Sequence, residues 1–310
     1  MTDISKLRIA VLIPCFNEQA TIERVVLDFK RALPTSTIYV FDNNSTDNSV
    51  EIAKATGAII HFEHSQGKGH VVRRMFSDID ADIYLMTDGD DTYDASISPL
   101  LIEKLVSENC DLVNCARAAK NHSAYRFGHS FGNRMISKLV RIFFKSTATD
   151  ILSGYKVFSR RFVKSFPVLS NGFEIETEIM IHALSLKIPY SEMSGPYKER
   201  PLGSESKLKT YRDGFRILWL IGFLLKEEKP FVFFGLIAFL LLLISAIFGA
   251  PIIIHYFETG LVPRLPTAVL AAGLSILSML SLAIGLILDA VCRGRREIKR
   301  LAYLSQKLFT

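Results

Sequence analysis

Cysteine is scarce in this chain, and its placement carries no pattern. Cys15, Cys110, Cys115 and Cys292 form neither a C-x-x-C pair nor a spaced framework, which excludes a disulfide-stapled fold and a cysteine zinc site and fits a reducing compartment. Among seven histidines there is no H-E-x-x-H, and His61-x-x-His64 has no further ligands nearby in sequence, so catalytic zinc is not expected. Glycine falls short of the nucleotide fingerprints too. Gly67-x-Gly69 is followed by Val72 where a dinucleotide motif needs a third glycine, and Phe62 together with the glycine after Lys68 breaks a P-loop. The opening residues Met1 to Lys6 lack the basic start and apolar run of a signal peptide, so about the first 225 residues are expected to stay in the cytosol.

Charge is missing where it matters most. Charged residues make up 22% of the chain, yet none falls between Phe231 and Ile254 or between Leu265 and Leu288. Each run exceeds the ~20 residues a helix needs to cross a bilayer, so two transmembrane helices are expected, with a buried helical hairpin as the alternative. Lys226 and Lys229 precede the first run, Arg293, Arg295, Arg296, Lys299 and Arg300 follow the second, and the connector His255 to Arg264 has one basic residue. That asymmetry places both termini in the cytoplasm. The net charge of +6 then reads as contact with anionic headgroups; nucleic acid is not an expected partner, since no module of basic and exposed aromatic residues is recognisable.

What the chain does have is acid at one point. Asp88, Asp90, Asp91 and Asp94 follow the apolar run Ile83 to Met86 within seven residues. Carboxylates so dense repel one another unless a cation is bound or the turn is solvated. Asp88 and Asp90 can hold Mg²⁺ or Mn²⁺ against a diphosphate, because such ions take much of their shell from water and substrate phosphates.

The remainder alternates strand, loop and helix. Arg8 to Pro14 is a buried strand followed by a helix opening at Asn17-Glu18, with Ile22, Val25, Val26 and Phe29 on one face. Thr37 to Phe41 leads to the turn Asp42-Asn43-Asn44-Ser45-Thr46-Asp47 and a helix over 50–56, then a strand over 58–62 and Gly67-Lys68-Gly69 with another helix. A helix over 100–106 and a strand over 111–115 continue the series. This alternation predicts a parallel sheet covered on both faces, with the ligand at the strands' C-terminal ends, where Glu18, Asp42, Asn43, Lys68, Asp88 and Asp90 fall on one edge. The Gly67 to Gly69 turn either approaches a phosphate or base or is simply solvated.

Further on the signals are weaker. Residues 121–145 are basic and amphipathic, with Arg126 among five cations, and suit a solvated face, a lipid contact or an anionic substrate. Gly128-His-Ser130-Phe-Gly132 matches a nucleophile elbow with Asp150 and His182 behind it in order, but a polar segment precedes it where the elbow needs a buried strand. A membrane serine hydrolase using Ser130 is therefore a rival reading, as is a non-catalytic membrane scaffold. Ser153-Gly154 is a turn before a strand; Glu174 and Glu178 share a helix side with Glu176 turned away. The loop Arg200 to Lys207 offers two cations, hydroxyls and a glycine, suited to phosphate. Phe215 to Leu225 is too short to span and suits the membrane interface.

Taken as an ordered series, Ile13-Pro14-Cys15-Phe16-Asn17-Glu18, Phe41 to Asp47, Gly67-Lys68-Gly69 with Arg73, and Asp88-Gly89-Asp90 resemble the inverting family-2 glycosyltransferases of the GT-A fold. Asp150-x-x-Ser153-Gly154-Tyr155, Arg200-x-x-Gly203-x-x-Ser206-Lys207 and the paired spans are similar to the polyprenyl-phosphate hexosyltransferases, such as dolichol-phosphate mannose synthases. The resemblance covers about residues 9–214. It implies a Rossmann-like mixed α/β sheet with helices on both faces, followed by interfacial helices and a two-helix transmembrane hairpin. The domains would be a cytosolic GT-A domain over 1–207, an interfacial segment over 208–228, spans within 229–292 and a basic tail over 293–310.

The implied activity is transfer of a hexose from a nucleotide sugar to a polyprenyl phosphate on a multi-pass protein of the inner or cell membrane. The implied donor contacts are Pro14, Asn17, Glu18, Asp42, Asn43, Lys68, Arg73 and Asp88. Asp88 and Asp90 would hold Mg²⁺ or Mn²⁺. Arg126, Arg200, Ser206 and Lys207 would meet phosphate, and Asp150 would lie near the acceptor. Many relatives have a second aspartate where this chain has Asn43, and the continuation Asp91 to Asp94 differs from that of the mannose synthases, which inclines the donor towards UDP-glucose or UDP-N-acetylglucosamine over GDP-mannose. A homo-oligomer is compatible with all of this.

Overall fold

The computed structural model describes residues 4–119, 148–172, 174–198, 222–223 and 226–308. The chain forms two compact units, one of 1–214 with 299–310 and one of 215–298. The first holds a seven-stranded sheet whose strands run β1 (Ile9–Cys15), β2 (Thr37–Asp42), β3 (Ile59–Phe62), β4 (Ile83–Met86), β5 (Leu112–Ala119), β6 (Lys156–Ser159) and β7 (Tyr190–Tyr197) in sequence, and β3-β2-β1-β4-β6-β5-β7 in space. Among its described residues up to 198 are the helices α1 (Ile22–Ala32), α2 (Ser49–Ala55), α3 (Lys68–Asp78), α4 (Ser98–Ser107), α5 (Arg160–Ser165) and α6 (Ile175–Ser185).

The burial explains the order. All four residues of β4 are buried, and β1 is buried at every position but the half-buried Pro14; strands this apolar on both faces belong in the middle of a sheet with helices above and below. In α1, Ile22, Val25, Val26 and Phe29 are buried at helical spacing, and they join Val11, Ile13, Leu85, Leu101, Leu105, Val113 and Val157 in one core. Each such side chain contributes about 1.5–3 kcal/mol by leaving water.

The sheet is mixed. Strands β1 to β5 and β7 share one direction, while β6 runs against its neighbours β4 and β5. A purely local strand–helix reading predicts parallel strands here, and β6 departs from it because the chain re-enters the sheet from the edge where the other strands end. The C-terminal ends of six strands and the first residue of β6 therefore meet at one rim.

His182 on α6 is buried between Phe162 and Phe166, with ring centroids at 5.6 and 5.0 Å, and neither ring nitrogen has a hydrogen-bond partner. Burial, reinforced by the positive charge of Lys299, pushes its pKa down to about 3 from 6.5. The unfolded chain therefore binds a proton that the folded one refuses. Stability is fully present above pH 6.5 and falls below it by about 1.4 kcal/mol per pH unit until the folded value is reached. Denaturant titrations at pH 7 and pH 5 should show that loss in the wild type and a shallower one in His182→Phe.

Among the described residues of the second unit, α7 (Pro230–Thr259) and α8 (Leu265–Leu304), the latter up to residue 298, form a helical hairpin. Both helices are long and apolar enough to cross a membrane. Their outer faces carry exposed Leu, Ile and Phe. Between them runs a seam of small residues: Ser245 Oγ donates to Ala271 O at 2.7 Å, Ser278 Oγ to Ala238 O at 2.7 Å and Ser281 Oγ to Phe234 O at 3.0 Å. Small side chains and interhelical hydrogen bonds hold helices together where lipid removes the hydrophobic driving force.

Candidate active site

The rim is built from loops that fasten to one another. After β1 the backbone turns at Asn17, whose φ of +54° is a left-handed conformation that asparagine tolerates. Asn17 N–H donates to Ser45 Oγ at 2.9 Å, Glu18 N–H to Ser49 Oγ at 2.8 Å and Thr46 N–H to Asn17 Oδ1 at 2.7 Å. The loop after β1 is thus stitched to the loop after β2. Thr21 Oγ1 reaches across to Gly89 O at 2.7 Å, tying the same loop to the acidic turn.

Asp42 ends β2 and is buried. Its Oδ2 accepts from Ser45 N–H at 3.1 Å, whereas Oδ1 has no partner. Such an orphaned buried carboxylate oxygen is costly unless a ligand donates to it. Asn43 is fully committed: Nδ2 donates to Glu63 O and Ser65 O at 2.9 and 2.8 Å, and Oδ1 accepts from Gly67 N–H at 2.7 Å. A carboxylate at this position would face two carbonyls, so the amide suits the loop after β3.

That loop leads to Gly67-Lys68-Gly69, where α3 begins. Gly67 has a φ of +136°, and a Cβ on Gly67 or Gly69 would collide with the backbone of Ser170 or Asn171. The turn is therefore packed, not solvated, and glycine is needed for the close approach. Lys68 Nζ is thereby held between Asp88 Oδ1 and Glu176 Oε1, 2.5 Å from each. Burial opposes its charge, but Asp88 and then Glu176 more than offset that, and its pKa lies above the usual lysine range. Arg73 is exposed; its Nε donates to Val168 O at 3.1 Å.

The acidic turn separates into distinct roles. Asp88 faces Lys68 and the backbone of Gly154, where any Cβ would strike its carboxylate. Asp90 is buried, and its Oδ1 accepts from Thr92 N–H at 3.2 Å and Thr92 Oγ1 at 2.6 Å. Asp91, at φ +54°, pairs with Arg24 at 3.1 Å and Lys198 at 3.4 Å. Asp94 accepts from Ser96 N–H at 2.9 Å, which draws its pKa down against the opposing effect of burial. Asp91 and Asp94 thus shape the turn.

Among the described residues no cluster of three metal-ligating side chains occurs. Two carboxylates two residues apart, at a rim with a lysine and an orphaned acceptor, fit a hard divalent ion whose shell is completed by substrate phosphates and water.

Across the rim, Asp150 accepts from Arg117 Nε at 2.7 Å, Nη2 at 2.8 Å and the Arg117 N–H at 3.1 Å. Tyr93 Oη accepts from Gly154 N–H at 2.8 Å, and Ser153 Oγ donates to Cys115 O at 2.6 Å. Asp150 is engaged with Arg117, and His182 sits unpartnered among aromatic rings, so the Asp–His pair of a serine hydrolase is not assembled. Ser130 lies outside the described residues, as do Arg126, Arg200, Ser206 and Lys207.

Three rim residues escape the sequence reading. Glu176 belongs to a run of carboxylates whose helix phase does not say which one faces the site. Arg117 lies within β5, two residues before its end, with no motif around it. Lys156 is a single cation in an apolar strand, the one signal that could have drawn attention to it.

Comparisons with known proteins identify the fold and the family. A glycosyltransferase of Haloferax volcanii, AglJ, is 31% identical over 232 residues, covering 74% of this chain and 76% of its own. A dolichyl-phosphate hexose transferase of the same organism is 25% identical, covering 70% and 93%. In three dimensions the chain is similar to glucosyl-3-phosphoglycerate synthase of Mycobacterium tuberculosis, solved with Mn²⁺, UDP-glucose and phosphoglyceric acid, at a TM-score of 0.57 and 21% identity over 72% of this chain and 80% of that one. That likeness shows a GT-A-like fold. The family model Glycosyl transferase family 2 matches residues 10–166, from β1 through the acidic turn to the helix after β6, and the chain belongs to that family.

Proposed function

We propose that this glycosyltransferase moves one hexose, with inversion, from a nucleotide sugar to a polyprenyl phosphate, giving a lipid-phosphate-linked sugar for glycan assembly. The observation that carries the reading is the convergence on one rim of an orphaned acceptor at Asp42, the Lys68–Asp88 pair and buried Asp90. The names of relatives that act on dolichyl phosphate and the two helices of spanning length support a lipid acceptor.

Asp42 would receive the base. Guanine offers a carboxylate two donors side by side, whereas uracil offers one N–H. With Oδ2 engaged by Ser45 and Oδ1 open, Asp42 suits uracil, and UDP-glucose or UDP-N-acetylglucosamine is the favoured donor. Pro14, Asn17 and Glu18 line the adjoining loop, Asn43 supports the loop beside it, and Arg73 braces the segment that packs on Gly69. Lys68 fixes the Asp88 carboxylate towards the diphosphate.

Asp88 and Asp90 would hold Mg²⁺ or Mn²⁺, which when bound supplies positive charge to the diphosphate. A phosphate oxygen of the acceptor, already ionised near neutral pH, forms a bond to the anomeric carbon as the bond to the nucleotide diphosphate breaks. No strong base is demanded. Asp150, bound by Arg117, therefore positions the acceptor side and does not remove a proton. Arg200, Ser206 and Lys207, with Arg126, would close on phosphate; the described chain approaches that loop at Lys198, whose N–H donates to Thr92 O at 2.8 Å. Residues 208–228 would lie in the membrane interface. Both termini would lie in the cytoplasm, which the basic residues flanking the two apolar runs support.

Purified protein with Mn²⁺ and labelled UDP-glucose, UDP-N-acetylglucosamine or GDP-mannose should give an organic-extractable sugar lipid with undecaprenyl or dolichyl phosphate. Absence of lipid-linked product with every donor, from folded protein that binds UDP, would refute the proposal.

A further inference from the structure

Lys156 opens β6 and is fully buried. It stands opposite Met86 on β4 and Asn114 on β5, two residues before Asp88 and three before Arg117. Among the described residues no carboxylate lies within ion-pair distance of its ammonium. Nζ donates instead to Asn114 Oδ1 at 2.5 Å and Ile151 O at 3.4 Å. Asn114 passes the restraint on: its Nδ2 donates to Asp150 O at 2.8 Å and to Glu192 Oε2 at 2.9 Å. Glu192 in turn accepts from Thr149 N–H at 3.0 Å and Thr149 Oγ1 at 2.5 Å. Residues 149–151, which carry the Asp150 partner of Arg117, are thus gripped at three consecutive positions by one polar network with Lys156 at its buried end.

A methionine would fill the same space without the loss of hydration that a buried ammonium suffers. Fold stability alone gives no reason for a cation here. We propose that Lys156 is a positioning residue of the transfer reaction: acting through Asn114 and the backbone of 149–151, its ammonium sets the Asp150–Arg117 pair on the acceptor side of the rim. The proposal rests on the reaction proposed above.

The charged groups that act on Lys156 are Asp150 from the gripped segment, Glu176 from α6, Arg117 from β5 and Glu192 from β7. Burial lowers its pKa to about 8, with Asp150 and Glu176 holding it from falling further. The network therefore loses its cation as pH rises through that value.

The test compares the wild type with Lys156→Met and Asn114→Leu, using Mg²⁺, the best donor and undecaprenyl phosphate. Both variants should retain Mg²⁺·UDP affinity and donor KM within about twofold, while kcat/KM for the acceptor falls roughly 10- to 100-fold. The wild-type kcat/KM for the acceptor should also decline above pH 8 towards the level of Lys156→Met, whose own profile stays flat there. An active wild type with equally active variants and no alkaline limb would overturn the role of Lys156 while leaving the reaction standing. If neither variant folds, the wild-type profile decides: an alkaline limb in acceptor kcat/KM that is missing from UDP binding supports the assignment, and its absence overturns it. A wild type that binds UDP but transfers to no lipid phosphate refutes the reaction itself, and the assignment with it.

Discussion

Asp90→Asn should lower kcat/KM by about 10³-fold or more, equivalent to roughly 4 kcal/mol of transition-state stabilisation, with little change in melting temperature. The asparagine keeps an acceptor for Thr92, whose N–H and hydroxyl both bond Asp90 Oδ1, so the turn stays folded while a negative ligand is lost. Affinity for Mn²⁺·UDP should fall in calorimetry, and chelation should bring the wild type down to the level of the variant. The comparison that gives this result meaning is Asp91→Asn. Asp91 is bound to Arg24 and Lys198, and asparagine accepts its left-handed backbone, so activity should change by only a few-fold. Equal losses at Asp90 and Asp91 would mean that the turn acts as a structural unit and not as a metal grip.

The largest effect on stability is expected at Asp111. It is fully buried at the start of β5 and accepts from Ser159 Oγ at 2.5 Å, Arg161 Nη2 at 2.7 Å and Tyr303 Oη at 2.6 Å. Arg161 also lies over the Tyr303 ring at 4.5 Å. Asp111→Ala leaves a guanidinium and two hydroxyls without their acceptor, a change that costs about 3–5 kcal/mol when the pair is buried; Arg161 keeps some solvent, which puts the expectation near the lower figure. Tyr303→Phe removes a single hydrogen bond to a charged group and should cost about 1.5–3 kcal/mol. Denaturant titration in detergent would rank the two. Limited proteolysis should report release of residues 299–308 in both variants, and unchanged protection there would contradict the docking role of Tyr303.

Much of the architecture is legible without coordinates because it depends on local pattern. The all-apolar β1 and β4, the helical spacing of Ile22, Val25, Val26 and Phe29, and the two charge-free runs each follow from a periodicity that a short window contains. The Asp88–Asp90 turn is similarly local: its charge density needs an explanation wherever it sits. Asn43 shows the limit of this kind of reading. Its place beside Asp42 suggests a base contact, yet its amide serves three backbone groups over 20 to 24 residues away in sequence.

The sequence by itself therefore determined the strands up to β6 but not β7, which helices can span a membrane, and where carboxylates crowd the end of a buried strand. Tertiary structure alone decided that β6 runs antiparallel, that Glu176 and not its neighbours meets Lys68, that Arg117 holds Asp150, and that Lys156 lies behind them. It also decided that Tyr303 bonds Asp111, 192 residues earlier. The reason is physical. A helix or strand is selected by contacts within a few residues, whereas the partner of a buried charge is selected by whichever group the completed sheet brings within 3 Å, and no pattern short of the whole fold encodes that meeting.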